Sequence, residues 1–204
     1  MLGYPSIRRY SFMSHPLCSV GGMSSDNPIG ADNQQETKDL DVGLDPWWVV
    51  GFVDGEGCFS VAIHRNERNA RRTGGWQLTP VFQVYQHEKE LKLLDRVCSF
   101  FGTGSVVPKG GGSSVLTYRV SSLVALRDYL LPFFERYRPI VKGPDFDLFA
   151  KIVRSMLNKE HLEPDGFNRL VHLAYAMNAH GKQRKRPIDD VLQGSSETIR
   201  QAPQ

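Results

Sequence analysis

The sequence predicts an α+β domain with the element order α-β-β-α-β-β-α, continued by further helices. Four segments repeat their apolar residues at every second position and fall into two pairs, each joined by a glycine-rich turn. Other segments, set between and after these pairs, repeat at helical spacing instead. Strands that come in adjacent pairs, without strict alternation with helices, exclude a doubly wound parallel sheet.

Order begins at Asp45-Pro46, because Asp is a good N-cap and Pro suits the first helical position. Residues 47–53 then form a short helix that is apolar nearly all round, as a buried helix is. Strands follow over 58–68 and 77–86, joined by the turn 69–75. In the first of them Phe59, Val61 and Ile63 share one face, and Ser60, Ala62, His64, Asn66 and Arg68 the other. Leu91, Leu94, Val97, Cys98 and Phe101 stand at helical spacing within 88–101, and Gly102 supplies a stop. Strands over 105–109 and 115–120 flank Gly110-Gly111-Gly112, and Ser122 caps a helix reaching about Leu131. Two more helices are expected at 146–157 and 167–177.

Length and composition bound what this domain can be. With 204 residues, 40% of them apolar and 23% charged, the chain can bury one sizeable core, and no apolar run is long enough to span a bilayer as a helix. Three cysteines without a C-x-x-C pair argue against a disulfide framework and against structural zinc, so a reducing compartment is expected. Residues 1–45, rich in Ser, Gly, Asn, Asp and Gln, read as a disordered extension; 46–182 read as the folded domain and 183–204 as a basic and polar tail. The chain carries 25 basic and 22 acidic residues; three of the basic and six of the acidic lie before residue 46, which leaves the remainder at +6. That is the electrostatic footprint of a nucleic-acid binder, to which Lys182-Gln183-Arg184-Lys185-Arg186 would add phosphate contacts.

The chemistry concentrates at Asp54-Gly55-Glu56-Gly57. Two carboxylates directly after a helix need compensation, because helix C-termini disfavour negative charge, and a metal cation would supply it. Several metal and phosphate motifs are excluded. A calcium loop would need a further oxygen ligand and a glycine where Cys58-Phe59 stand, His87-Glu88 lacks a second His four residues on, and neither type of glycine-rich phosphate loop is present.

The whole stretch Val49-Val50-Gly51-Phe52-Val53-Asp54-Gly55-Glu56-Gly57 resembles the namesake motif of the LAGLIDADG homing endonucleases. The resemblance covers about 47–197 and is nearest to the single-motif homodimers encoded in rRNA-gene introns. It implies the homing-endonuclease fold, α-β-β-α-β-β-α with an antiparallel saddle-shaped sheet plus C-terminal helices, which agrees with the order read from periodicity. It also implies site-specific, Mg²⁺-dependent cleavage of both strands of a long pseudo-palindromic DNA target, with Mn²⁺ as a substitute. Glu56 corresponds to the metal-binding catalytic carboxylate, Gly55 to a carbonyl that assists it, Gln86 to the polar residue that positions water, and Lys142 to the basic residue beside the scissile phosphate. Gly51, Asp54, Trp48 and Phe52 fall at the dimer interface, where Gly51 allows two helices to approach and Asp54 caps the partner's motif helix. The pattern departs at one place: where a second basic residue often follows the glutamine, this chain has His87 or Glu90.

Recognition is assigned to the sheet. A β-ribbon fits the DNA major groove, and a strand of about 10 residues spans roughly 33 Å, one turn of the duplex. The candidate DNA contacts are Ser60, His64, Asn66, Arg68, Gln77, Thr79 and Gln83, extended by Lys109 and Arg119 on the second hairpin and by Lys182, Arg184 and Lys185 in the tail. Two other functions fit the same fold: an RNA maturase that assists splicing of its own intron, with intron RNA as partner, and a non-catalytic DNA-binding regulator. Neither needs Glu56. The resemblance places the protein inside the cell, in a chloroplast, a mitochondrion or a bacterial cytoplasm.

Overall fold

The first helix, α1 (Pro46–Glu56), starts as its cap predicts: the Asp45 side chain accepts the N–H groups of Trp47 and Trp48 at 2.9 and 3.0 Å. This is a computed structural model, and it describes residues 43–66, 73–177 and 186–192. Arg68, Lys182, Arg184 and Lys185 therefore lie outside the described residues, as does most of the turn expected at 69–75. Helix α1 runs three residues beyond the expected 47–53, so Asp54 and Glu56 belong to its last turn. It is also less buried than its composition suggests. Val49, Val50 and Val53 face the core, whereas Trp47 and Trp48 are 60% and 44% exposed and Gly51 is open.

No linker separates α1 from β1 (Gly57–Arg65). Gly57 leaves the helix directly into extended backbone, and a Cβ there would stand 2.7 Å from both the carbonyl oxygen and a side-chain methyl of Val53. Only glycine permits so abrupt an exit. Strand β2 (Trp76–His87) pairs antiparallel with β1, from Gly57 opposite Val84 to Arg65 opposite Trp76. After a short 3-10 turn (Glu88–Glu90), helix α2 (Leu91–Phe101) ends at Gly102, whose φ of 62° is the left-handed stop its position predicts. Strands β3 (Ser105–Pro108) and β4 (Val115–Val120) complete one four-stranded antiparallel sheet in the order β1-β2-β4-β3.

Helix α3 spans Leu123 to Arg136 in three contiguous pieces, passing the expected end near Leu131. Pro132 should have stopped it, because proline has no N–H for the preceding turn and its ring crowds the carbonyl there. The turn just before it, Leu126–Leu130, is widened to a π-helix in which the Leu131 N–H donates to the Leu126 carbonyl, and the helix continues through the proline. Helices α4 (Gly143–Leu157) and α5 (Pro164–Ala176) each start three residues before the expected bounds, with Pro144 and Pro164 in their first turns. Residues 188–192 form one more helical turn, and Val191 on it is fully buried. This part of the expected polar tail thus packs onto the domain through Val191, with Ile188 and Leu192 partly buried beside it.

One face of the sheet carries the core. Phe59 and Phe82, opposite each other on β1 and β2, meet Phe134 of α3 and Phe146 and Phe149 of α4, with Phe59 5.1 to 5.4 Å from each of the other four rings. Such tilted and edge-on ring pairs favour a single packing arrangement. Among the described residues the helices pack on this face, which leaves the alternate residues of the strands on an open face.

Candidate functional site

The acidic end of α1 lies at one end of that sheet, and its two carboxylates have different surroundings. Asp54 is half-buried, and its two oxygens accept the backbone N–H groups of Ile140 and Lys142, at 2.8 and 2.9 Å. The resemblance assigns this carboxylate to the partner's motif helix; within its own chain it engages residues 86 and 88 positions away that sequence spacing could not associate with it. Glu56 is exposed and makes no hydrogen bond or ion pair among the described residues. Its side chain is free to bind something that is not part of this chain.

Lys142 reaches the same corner through the Asp54 bond. It also acts on Cys58, the second residue of β1: burial pushes the Cys58 thiol up from its ordinary value, while the Lys142 ammonium pulls it the other way. Gln86 lies two residues past Val84, the partner of Gly57, and so at the strand end beside the junction of α1 and β1. It sits on the opposite side of β2 from Gln83, half-buried. Glu56, Gln86 and Lys142, far apart in sequence, thus belong to one end of the sheet.

The open face can be read as cross-strand rows. Cys58, Gln83, Arg119 and Ser105 form one row, Ser60 with Val81 the next, then Ala62 with Thr79, and His64 with Gln77. On the other side of the first row, Tyr85 pairs with Thr117, which pairs in turn with Val107. Asn66, just beyond β1, donates from its amide nitrogen to Gln77 Oε1 at 2.5 Å. The Tyr85 hydroxyl donates to Gln83 Oε1 at 2.9 Å, and the Lys109 ammonium lies 4.9 Å above the Tyr85 ring. Burial raises the Tyr85 hydroxyl's pKa, and Arg119 opposes the rise. All the described candidate contact residues therefore fall on one face. Cys58, Tyr85 and Ala62 belong to it as well; extending the period-two alternation by one step at each strand end identifies the first two. Arg186, the described member of the basic cluster, places its guanidinium 4.7 Å over the Trp76 ring, and Arg65 covers the same ring at 3.9 Å.

Could these residues hold a divalent cation? The Glu56 carboxylate and the Gly55 carbonyl, in a last helical turn whose carbonyls lack intrahelical partners, are hard oxygen donors of the type Mg²⁺ takes. Among the described residues no group of three or more His, Cys, Asp or Glu side chains could hold a metal. Among the described residues, Glu56 and Gly55 would thus supply two oxygens of such a set.

The outer surface of α1 is equally incomplete. Trp48 stacks on Phe52 with ring centroids 5.1 Å apart, Trp47 meets Tyr137 edge-on at 5.3 Å, and nothing lies within 4 Å of a Cβ built on Gly51 or Gly55. Two glycines four residues apart, beside exposed aromatic rings, leave room for a second helix to pack closely.

The sequence model of the LAGLIDADG endonuclease family matches residues 49–153. The chain is 32% identical to the homing endonuclease I-ApeII of Aeropyrum pernix over 149 residues, covering 71% of this chain and 86% of that one. It is 31% identical to the probable intron-encoded endonuclease 2 of Neurospora crassa over 137 residues, and there it spans only 30% of the relative's length. Among solved structures, the archaeal intron-encoded homing endonuclease I-Vdi141I complexed with DNA superposes with a TM-score of 0.68 at 30% identity, covering 76% of this chain and 96% of that one. The homing endonuclease I-TnaI superposes at 0.64, also at 30% identity, covering 77% and 99%.

Proposed function

Because the chain belongs to the LAGLIDADG endonuclease family, we propose that it is an intron-type homing endonuclease, a site-specific nuclease that cuts both strands of a long pseudo-palindromic DNA target. One observation carries this reading. An exposed carboxylate, without a partner among the described residues, ends a helix that passes without a linker into the first strand of an open, polar sheet face. A chain with one motif holds one such carboxylate, so two strands require a C2 homodimer, formed through the open side of α1 with Trp48, Gly51 and Phe52. The DNA site then shares the two-fold symmetry, and the action takes place inside the cell.

Glu56 and the Gly55 carbonyl would hold Mg²⁺, or Mn²⁺ in its place. When bound there, it would supply positive charge to stabilise the phosphate oxygens and the leaving 3′-oxygen. The chain's own groups act around it. Gln86 hydrogen-bonds and orients the attacking water, Lys142 pairs with the charge that grows on the phosphate, and the sheet face holds the duplex in register. Outward side chains read base edges in the major groove, while Lys109 and the 182–186 cluster engage phosphates.

The test is incubation of the purified protein with Mg²⁺ and the intronless form of its host gene. A single double-strand cut is expected, and it should disappear when the metal is chelated. An intact duplex across a range of Mg²⁺ and protein concentrations would overturn the reading. A maturase or a non-catalytic regulator would bind without cutting and would be indifferent to Glu56.

A further inference from the structure

We propose that Asp54 is a positioning residue that sets Lys142 relative to Glu56; this deepens the nuclease reading and rests on it. The segment that joins α3 to α4, residues 137–142, carries Lys142 at its end. It is fastened at three places. Tyr137 packs edge-on against Trp47 of α1, Arg138 makes a bidentate pair with Asp147 of α4 at 2.9 and 2.5 Å, and Asp54 of α1 takes the N–H groups of Ile140 and Lys142. Pro139 is buried, but Ile140 and Val141 after it are 87% and 72% exposed, so packing of their side chains does not fix the last part of the segment. From Ile140 to Lys142 its path past α1 depends on the two bonds to Asp54.

A carboxylate suits this place for two reasons. It offers two acceptor oxygens to two N–H groups, and hydrogen bonds to a charged acceptor are stronger than neutral ones. It also lies at the start of α4, where unpaired N–H groups and the helix dipole favour an anion, and this offsets its unfavourable position at the end of α1. Glu56 follows two residues later. The carboxylate of the site and its basic residue are thus referred to one side chain, through two peptide units in one direction and one hydrogen bond in the other.

The test combines amide exchange with a double-mutant cycle on Lys142, using the intronless host-gene duplex as substrate. In Asp54→Ala the Ile140 and Lys142 amides should exchange at least 10-fold faster, while amides of β2 keep their protection and show that the fold persists. Single-turnover cleavage at saturating protein should slow by about 10- to 100-fold, as expected for a misplaced reacting group, with DNA affinity within about twofold. In a Lys142→Ala background the same change should cost less than about twofold, because its effect passes through the residue already removed. Asp54→Asn, which keeps one acceptor oxygen, should be intermediate on both readouts, and it stands in if the alanine variant does not fold. Unchanged exchange at the two amides, or an undiminished loss of rate in the Lys142→Ala background, would overturn the proposal. Absence of cleavage by the wild-type chain would sink the nuclease reading instead, and the exchange measurement would still judge the contact.

Discussion

The two ends of the proposed mechanism are built differently. At the acidic corner the fixed elements are backbone: Gly57 turns the chain from helix to strand, and Asp54 holds two main-chain N–H groups. On the open face most contacts run from side chain to side chain, as in Asn66 with Gln77, Tyr85 with Gln83, and Lys109 over Tyr85, although the Ser60 hydroxyl donates to the Val81 carbonyl. The bonds that fix the corner do not involve the side chains of the face, so most of the face can be rewritten without breaking them; Cys58, on which Lys142 acts, is where the two regions touch. A scaffold of this kind keeps one chemistry while its target changes.

Five substitutions would sharpen or break that contrast. The largest effect belongs to Glu56→Gln, which removes a metal-binding charge and hardly alters shape: cleavage should fall by about three orders of magnitude with binding largely intact. Wild-type rates in this variant would remove Glu56 from the reaction. Next, Gln83→Ala or Arg119→Ala should each relax preference at one or two target positions by ~1–3 kcal/mol without changing the maximal rate, as judged by selection over randomised sites. An unchanged preferred sequence at every position would mean that the face does not read bases. Gly57→Ala should act on stability, because its methyl would stand 2.7 Å from the Val53 carbonyl oxygen, and about 1–3 kcal/mol should appear as a lower denaturant midpoint. Smallest is Lys109→Ala, for which affinity should weaken alike on every sequence and the salt dependence of binding should shrink by about 1 in slope.

Much of this was legible in the sequence because it depends on local chemistry. The Asp45 cap, the Gly102 stop, the alternation in β1 and the order of elements all follow from rules that act over a few residues. Three features were not. Helix α3 passes Pro132 only because a π-turn rearranges the preceding hydrogen bonds, and no residue pattern announces that. The bonds of Asp54 to Ile140 and Lys142 join positions 86 and 88 residues apart, which only the assembled fold brings together. The apolar character of α1 suggested burial on all sides, yet a helix with two partners and a helix inside one core have the same composition. Trp47 and Trp48 are the difference, and their exposure becomes visible only when the rest of the chain is in place.

The direct passage from α1 into β1 makes the molecule a ruler. Outward residues along β1 succeed one another every two positions, about 6.7 Å, which is close to two base steps of a DNA strand at ~3.4 Å each. With no slack between Glu56 and Cys58, the offset between the bond that is cut and the first base that is read would, under the proposed function, be counted in whole residues. Inserting one residue after Gly57 would turn every β1 side chain to the wrong face and abolish recognition. Inserting two would restore the face and move the cut by about two base pairs relative to the sequence that is read. Drift in this family can therefore alter which bases are read one residue at a time, whereas the offset can change only in steps of two residues.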